Sequence, residues 1–465
     1  MKGICVLLIA AVAAMAAPEV TFNRDVLPIL QKNCQSCHRP GEIGPIPLLT
    51  YSEARPWAKA IKTAVVTKKM PPWFADPRYG HFANDRSLSA HDVETLSAWA
   101  DVGAPEGNPK DQPAPVRWTD GWNIHPDVVI SMQKPYAVPA KGTVLYTYFV
   151  VPTGFTKDTW VLDAEVRPGN RAVVHHASVH IRPPGSKWMK DAKVGEPYIP
   201  PGSDGSPAPP APVDPNVDQS NEWLLGYVPG TQSQTYFDLE HKAAKLIPAG
   251  SDVVFEMHYT ANGKEAVDQT KVGFVLAKEP PAYRLLTVPV FDDSFTIPPG
   301  DPNHEAHALA EFKEPVQLIY SQPHMHLRGK DMTFKLRFPD GKEQTVLNAK
   351  FNFHWQLGYE LENPIKVTKG TRMIVTAHHD NSANNALNSA PDQPAVWGEM
   401  TSNEMMLPWF GVVVENNAQP EKIASYRPGD FDPNAMPRLK AGTAIQVPAD
   451  MPLVKPAVLR MVIKD

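Results

Sequence analysis

Cysteine is nearly absent from this chain, with three in 465 residues. A disulfide framework is therefore excluded, although Cys34 and Cys37 stand close enough in sequence to act as a pair. Long hydrophobic runs are also missing: none reaches the roughly 20 apolar residues of a bilayer-crossing helix, so no transmembrane anchor is expected. Charge of one sign is lacking as well. The balance of 45 Lys and Arg against 50 Asp and Glu gives a net charge of -5, which points to neither nucleic acid nor an anionic membrane as a partner. Proline, by contrast, is plentiful at 50 residues, about twice its usual share. It opposes long helices and favours short strands joined by many turns. The length exceeds what one hydrophobic core usually supports, so two or three domains are expected.

The first residues read as an export signal. Lys2, an apolar run from Ile4 to Ala14 and the small-residue triplet Ala14-Met15-Ala16 form a leader over residues 1–16. Cys5 lies inside it, so the exported chain keeps two cysteines. A periplasmic or secreted location follows as the expectation.

Those two cysteines stand in Cys34-Gln35-Ser36-Cys37-His38, the spacing that lets two thiols add to haem vinyl groups while the following His caps the iron. A zinc knuckle would need more ligands than this chain offers in cysteine, and a redox pair has no use for the histidine. One covalent haem c is expected on Cys34, Cys37 and His38. For the sixth iron ligand, Met70 in Lys69-Met70-Pro71-Pro72-Trp73 is the preferred candidate, because a thioether completes a His/Met pair suited to electron transfer. His81 and His91 are the alternatives.

The region 18–107 has helical patterning: Val26 to Gln31, then Glu53 to Lys69 with Trp57, Ile61, Val65 and Val66, then Val93 to Ala100 opened by a Ser89/Asp92 capping box. Three short helices around a C-x-x-C-H motif resemble a small cytochrome c. Residues 108–125, with Pro109, Pro113 and Pro115, read as a linker. Beyond it the pattern turns to strands: Val144 to Val151, Ala172 to Ile181, Asp252 to Thr260, Val316 to Tyr320, Met332 to Phe338 and Met373 to His378. A hairpin turn is expected at Pro339-Asp340-Gly341-Lys342. Strands at this spacing without helices between them suggest sandwiches or jelly rolls. The Pro-, Gly- and Ser-rich stretch Ile199 to Pro215 reads as a surface loop. A boundary near Lys278 to Pro281 divides the strands into residues 126–280 and 281–465.

Histidines recur in the strand region at metal-binding spacing: His175-His176, His258, and His324-x-His326, followed by Met405-Met406. In an extended chain His324 and His326 point to one side, so one ion can take both. His258 shares its face with Glu256 and Thr260. Adjacent His175 and His176 can serve one ion only where the strand bulges or ends. His180, His354, His378 and His379 also lie on strand-like segments, and the pair His378-His379 reads as a decoy or a supporting element. Imidazole with thioether favours copper over zinc, and with no spare cysteine a blue-copper site is excluded.

These motifs resemble those of the type II copper, ascorbate-dependent monooxygenases, the group of the peptidylglycine and dopamine hydroxylases. Val174-His175-His176, Glu256-Met257-His258-Tyr259, Pro323-His324-Met325-His326-Leu327 and Thr401-Ser402-Asn403-Glu404-Met405 occur in the family's order, over about residues 128–463. The resemblance implies a fold of two all-β jelly-roll-like sandwiches after a small all-α cytochrome c domain. It implies two copper ions facing each other across a wet cleft: one held by His175, His176 and His258, the other by His324, His326 and Met405. Met400 and Met406 fall off the ligand position. Hydroxylation with O2 would occur at the second copper, making His324, His326 and Met405 the catalytic set. The N-terminal part resembles the cytochrome c domain fused to bacterial members, including Met-Pro-Pro-Trp at 70–73.

Departures from the family are informative. The animal enzymes carry disulfides, which are absent here. Gln322, Leu407 and Trp409 replace the Arg, Asn and Tyr that hold a substrate carboxylate in the peptidylglycine enzyme, so an amidated peptide product is not expected. Leu407, Pro408, Trp409 and Phe410 would line either an apolar substrate wall or ordinary core. The expectation is a monooxygenase acting on a small-molecule or peptide substrate with O2, with haem c passing electrons from a periplasmic donor. A non-catalytic electron-transfer or copper-binding protein is the alternative. A β-sandwich module that binds carbohydrate or protein, with the six ligand positions scattered, is the third reading.

Overall fold

The computed structural model describes residues 19–117, 121–201, 222–228, 233–236, 242–290, 292, 295–398, 400–418 and 422–428. The expected leader at 1–16 and most of the expected loop at 199–215 lie outside the described residues. No helix among the described residues is long and apolar enough to cross a membrane. The chain divides into two compact units: Met1–Pro72 with Arg86–Arg117, and Trp73–Asp85 with Trp118–Asp465.

The first unit holds four short α-helices: α1 (Leu27–Asn33), α2 (Tyr51–Ala54), α3 (Ala58–Val66) and α4 (Ala90–Asp101). Of the expected Ser89/Asp92 capping box the Ser89 half is present, its side chain accepting from Asp92 N. A full capping box at Thr50 and Glu53, not foreseen in the sequence, starts α2. Phe22, Leu30, Leu96 and Trp99 are wholly buried between these pieces. Burying such a side chain is worth about 1.5–3 kcal/mol, and this small unit has few of them.

The second unit is built of β-sandwich sheets. Its first half contains β1 (Val128–Ser131), β2 (Tyr136–Val138), β3 (Thr147–Pro152), β4 (Thr159–Arg167), β5 (Val174–Arg182), β6 (Glu222–Tyr227), β7 (Gln234–Thr235), β8 (Ala243–Ile247), β9 (Asp252–Tyr259), β10 (Ala266–Asp268) and β11 (Lys271–Leu276). Its second half contains β12 (Tyr283–Pro289), β13 (Thr296–Ile297), β14 (His304–Phe312), β15 (Val316–Gln322), β16 (Gly329–Arg337), β17 (Glu343–Lys350), β18 (Tyr359–Val367), β19 (Arg372–His379), β20 (Ala395–Val396), β21 (Trp409–Glu415) and β22 (Ala424–Pro428). The expected hairpin at 339–342 joins β16 to β17, with Gly341 at φ +87°.

One long sheet, ordered β1-β11-β4-β8-β12-β21-β15-β18, runs through both halves. Its crossing point is the parallel pairing of β8 with β12. A buried ion cluster sits there: Lys245 Nζ lies 2.8 Å from Glu222 and 2.7 Å from Thr287 Oγ1, and Arg284 lies 2.8 Å from Glu222. Removing one member would strand buried charge, at a cost of about 3–5 kcal/mol. The sheet β3-β9-β5-β6 packs on the first half of the long sheet, and β17-β16-β19-β14-β22 packs on the second. The stretch Trp73–Asp85 bridges β17 at Ala75–Ala349 and β18 at Phe82–Leu361. It thereby covers an edge of each facing sheet, and Trp73 and Phe82 pack against Tyr359.

Candidate metal centre

In the first unit, Cys34 through His38 forms the turn after α1. Cys37 N and His38 N both reach the Cys34 carbonyl, at 3.1 and 2.9 Å. Both thiols are free. Burial, helped by Cys37, pushes the Cys34 thiol up to about 12, far from a reactive thiolate. His38 Nδ1 lies 3.0 Å from the Ile46 carbonyl, so with its proton there Nε2 keeps its lone pair for a metal. Gly44 packs onto the motif: a Cβ there would stand 2.7 Å from the Cys37 carbonyl and 2.8 Å from the His38 ring. Two free thiols and a histidine with one ring nitrogen anchored fit the requirements of covalent haem c. Of the sixth-ligand candidates, Met70 is half-buried, while His81 and His91 are exposed.

In the second unit, three of the expected metal residues meet. The donor atoms of His175, His176 and His258 lie within 4.8 Å of one another. His175 Nδ1 is 2.7 Å from His176 Nδ1, and His258 Nδ1 is 3.2 Å from His176 Nε2. The condition set by the adjacent pair is met by a register shift between Val174 and His176, which turns both rings toward one point. His176 and His258 pair directly across β5 and β9, while Phe255, Met257 and Tyr259 face the core. Tyr146 completes the cup: its hydroxyl is 3.1 Å from His176 Nε2 and its ring stacks on His258 at 4.5 Å.

All three imidazoles are held neutral. Burial, then repulsion from His354, brings His175 down to about 4. Burial, then His175 and His324, brings His258 to about 3. Burial drives His176 far down as well. Neutral imidazoles with converging lone pairs suit a bound cation.

His324 and His326 follow the end of β15. Met325 between them is fully buried, so the flanking rings fall on the opposite side, their centroids 5.4 Å apart. His324 Nδ1 lies 2.5 Å from Gln356 Oε1. Gln356 is itself held by Gln322 Nε2 donating to its carbonyl at 3.3 Å. This fixes the His324 ring and leaves Nε2 available. His326 is almost wholly buried, and among the described residues neither of its ring nitrogens has a hydrogen-bond partner. The Met400 and Asn403 carbonyls lie near enough to oppose the large downward shift that burial imposes on it, without forming a bond of acceptable geometry. A buried imidazole with two empty nitrogens costs free energy unless something else takes a lone pair, and a metal ion does so.

The segment carrying Met405 runs beside this loop. Leu407 N donates to the His324 carbonyl at 3.0 Å. Glu404, wholly buried, accepts from the backbone N–H groups of His326, Arg328 and Met405. Burial, against those three donors and Arg328, raises Glu404 to about 7. Met405 is half-buried against the core, whereas Met406 is fully buried within it. His379 donates from Nε2 to the Met405 carbonyl at 3.2 Å, so of the pair set aside as a decoy or supporting element, His379 supports. His180 bonds Glu256 at 2.8 Å, and His354 lies exposed.

Two side chains of the second half reach the histidine cup: Phe353 from the β17–β18 loop stacks on His175 at 4.9 Å, and Thr401 Oγ1 stands 3.4 Å from His258 Nε2. Of the two readings left open for the apolar run 407–410, the structure favours core: Trp409 stacks on Trp223 at 5.2 Å and Phe410 packs on Phe312. Gln356, Glu404, Phe353 and Tyr146 were not singled out in the sequence. Only Glu404 carried a signal, as a carboxylate next to a proposed ligand in apolar surroundings.

A family model, "Copper type II ascorbate-dependent monooxygenase, C-terminal domain", matches residues 282–408. That span contains His324, His326, Glu404 and Met405, and excludes the three-histidine cup. The match supports a copper-dependent monooxygenase-like function. No curated protein matches the chain in sequence. Among solved structures, the chain is similar to one of infectious bursal disease virus Gx strain at 9% identity, covering 65% of this chain and 74% of that one, with a TM-score of 0.16. A structure of the Gt strain shows 10% identity, 70% and 88% coverage and a TM-score of 0.15. Likenesses at that level carry no argument about fold or function.

Proposed function

We propose that the protein is an exported copper monooxygenase, with one ion on His175, His176 and His258 and a second on His324, His326 and Met405. Substrate and O2 would meet at the second ion, and haem c on Cys34, Cys37 and His38, with Met70 as sixth ligand, would supply the electrons. When bound, each copper stores one electron and the haem relays single electrons, which together suits a two-electron hydroxylation.

The observation that carries this reading is the meeting of three neutral imidazoles in one cup, with a buried His326 in the second half whose ring nitrogens have no hydrogen-bond partner among the described residues. The chain's own groups prepare both positions. Gln356 fixes the tautomer of His324, and Glu404 ties the His-x-His loop to the methionine segment. Tyr146 and Phe353 brace the histidine cup by stacking. Phe353 and Thr401 stand between the two halves, so substrate entry requires that the loop carrying Phe353 yield.

The test is stopped-flow reduction of the haem in fully loaded protein, followed by exposure to oxygen. Reoxidation should depend on copper, and oxygen uptake should rise with one member of a substrate panel. Reduced haem indifferent to copper and oxygen would remove the electron route. Copper cycling without oxygen uptake on any substrate would favour the electron-transfer alternative.

A further inference from the structure

The outer face of the five-stranded sheet carries a ladder of histidine and carboxylate side chains, separate from the centre described above. On β14, Glu305 and His307 share the face opposite the buried Ala306 and Ala308. Across the ladder, His378 on β19 pairs with Glu305, and Asp331 on β16 pairs with His378. His378 Nδ1 lies 2.7 Å from Asp331 Oδ1, and its Nε2 is 3.1 Å from Glu305 Oε2. His307 repeats the arrangement: Nδ1 is 3.2 Å from Thr376 Oγ1, and Nε2 is 2.8 Å from Glu305 Oε1.

We propose that Glu305, His307 and His378 form a third metal site, for a divalent transition ion such as zinc. Each imidazole has Nδ1 anchored on a protein oxygen and Nε2 aimed at one shared carboxylate. Anchoring one ring nitrogen and presenting the other is what metal-bound histidines require. Thr376 is the direct partner of His307 across the ladder, which puts its hydroxyl against Nδ1 and leaves Nε2 toward Glu305. Two imidazoles and a carboxylate without sulfur suit zinc or iron(II) and distinguish this set from the thioether-containing one. The two imidazoles flank the carboxylate, and the three donors are not mutually within 4.8 Å as the three-histidine cup is. The cation replaces the protons between each Nε2 and Glu305, and draws the donors together. Glu305, whose side chain is 52% exposed, has the freedom to make that movement, while the histidines stay on paired strands. The ion would pin the end of β19 beside His379, which supports Met405.

The test uses the full chain with haem and both copper positions filled, dialysed against zinc chloride, with bound metals counted by elemental analysis and titration calorimetry. One zinc per chain beyond the copper is expected. His307→Ala with His378→Ala should abolish it with copper content and circular dichroism unchanged. Asp331→Asn, which removes an anchor and no ligand, should weaken it about tenfold or more. Cobalt(II) in place of zinc should give a visible ligand-field spectrum that the double variant lacks. Glu305→Gln, on an exposed face, serves should the double variant misfold. Zinc taken up only by copper-depleted protein, or retained by the variants, overturns the proposal.

Discussion

Glu404→Gln is the sharpest perturbation of the proposed second copper position. The carboxylate is wholly buried and accepts three backbone N–H groups, from His326, Arg328 at 2.9 Å and Met405 at 2.9 Å. An amide of the same shape keeps one acceptor oxygen and turns an NH2 group toward at least one of those donors. Stranding a buried donor costs about 1–3 kcal/mol. With one or two stranded, the substitution should destabilise the second sandwich by about 2–4 kcal/mol. Glu404→Ala strands all three and adds a cavity, so it should cost more. For a domain of this size that is a fall of roughly 5–10 °C in Tm. The consequence for metal binding is specific: His326 and Met405 lose their common anchor, while the three-histidine cup does not touch Glu404. Calorimetry of the metal-free protein should show the lower Tm, and copper titration followed by electron paramagnetic resonance should show one copper bound normally and the other weakened. A Glu404→Gln protein that melts with the parent and binds both coppers equally would refute the reasoning.

Other outcomes follow from the same geometry. Gln356→Leu should free the His324 ring and weaken copper at the second position by about 10- to 100-fold, measured by competition with a chelator. Metal-free protein should lose stability in acid. His175, His258 and His379 are depressed to about 4, 3 and 4 in the fold, so below about 6.5 the unfolded chain takes protons the fold refuses. The histidine contribution is then full above that pH and drops toward pH 4 by on the order of 3 kcal/mol per histidine, offset in part by Glu404, which is raised to about 7 and so favours the fold as the pH falls. A Tm flat between pH 7 and 4 would contradict this. Met70→Ala should abolish the near-infrared sulfur-to-iron band of the oxidised haem and lower its potential, and an unchanged spectrum would assign the sixth ligand elsewhere.

Much of the ligand geometry was legible in the sequence because it depends on local spacing. A buried Met325 forces His324 and His326 to one side, and the neighbours His175 and His176 required a bulge, which the structure supplies between Val174 and His176. The strand positions around His258 alternate as read. The supporting groups were not legible, because they arrive from far along the chain. Gln356 reaches His324 across 32 residues and Glu404 reaches His326 across 78. No periodicity encodes such pairs. The run from Leu407 to Phe410 shows the converse limit: an apolar stretch reads alike as core or as pocket wall until its neighbours, Trp223 and Phe312, are known. The stretch Trp73–Asp85 carries no regular strand pattern and is placed by two isolated bridges to sheet edges.

X-ray absorption at the copper edge, on reduced protein loaded to saturation, tests the central claim most directly. Two coppers per chain are expected, one with nitrogen donors alone and one with nitrogen plus a single sulfur, the sulfur signal vanishing in Met405→Ile. One copper per chain, or a sulfur signal that survives that substitution, would contradict the account.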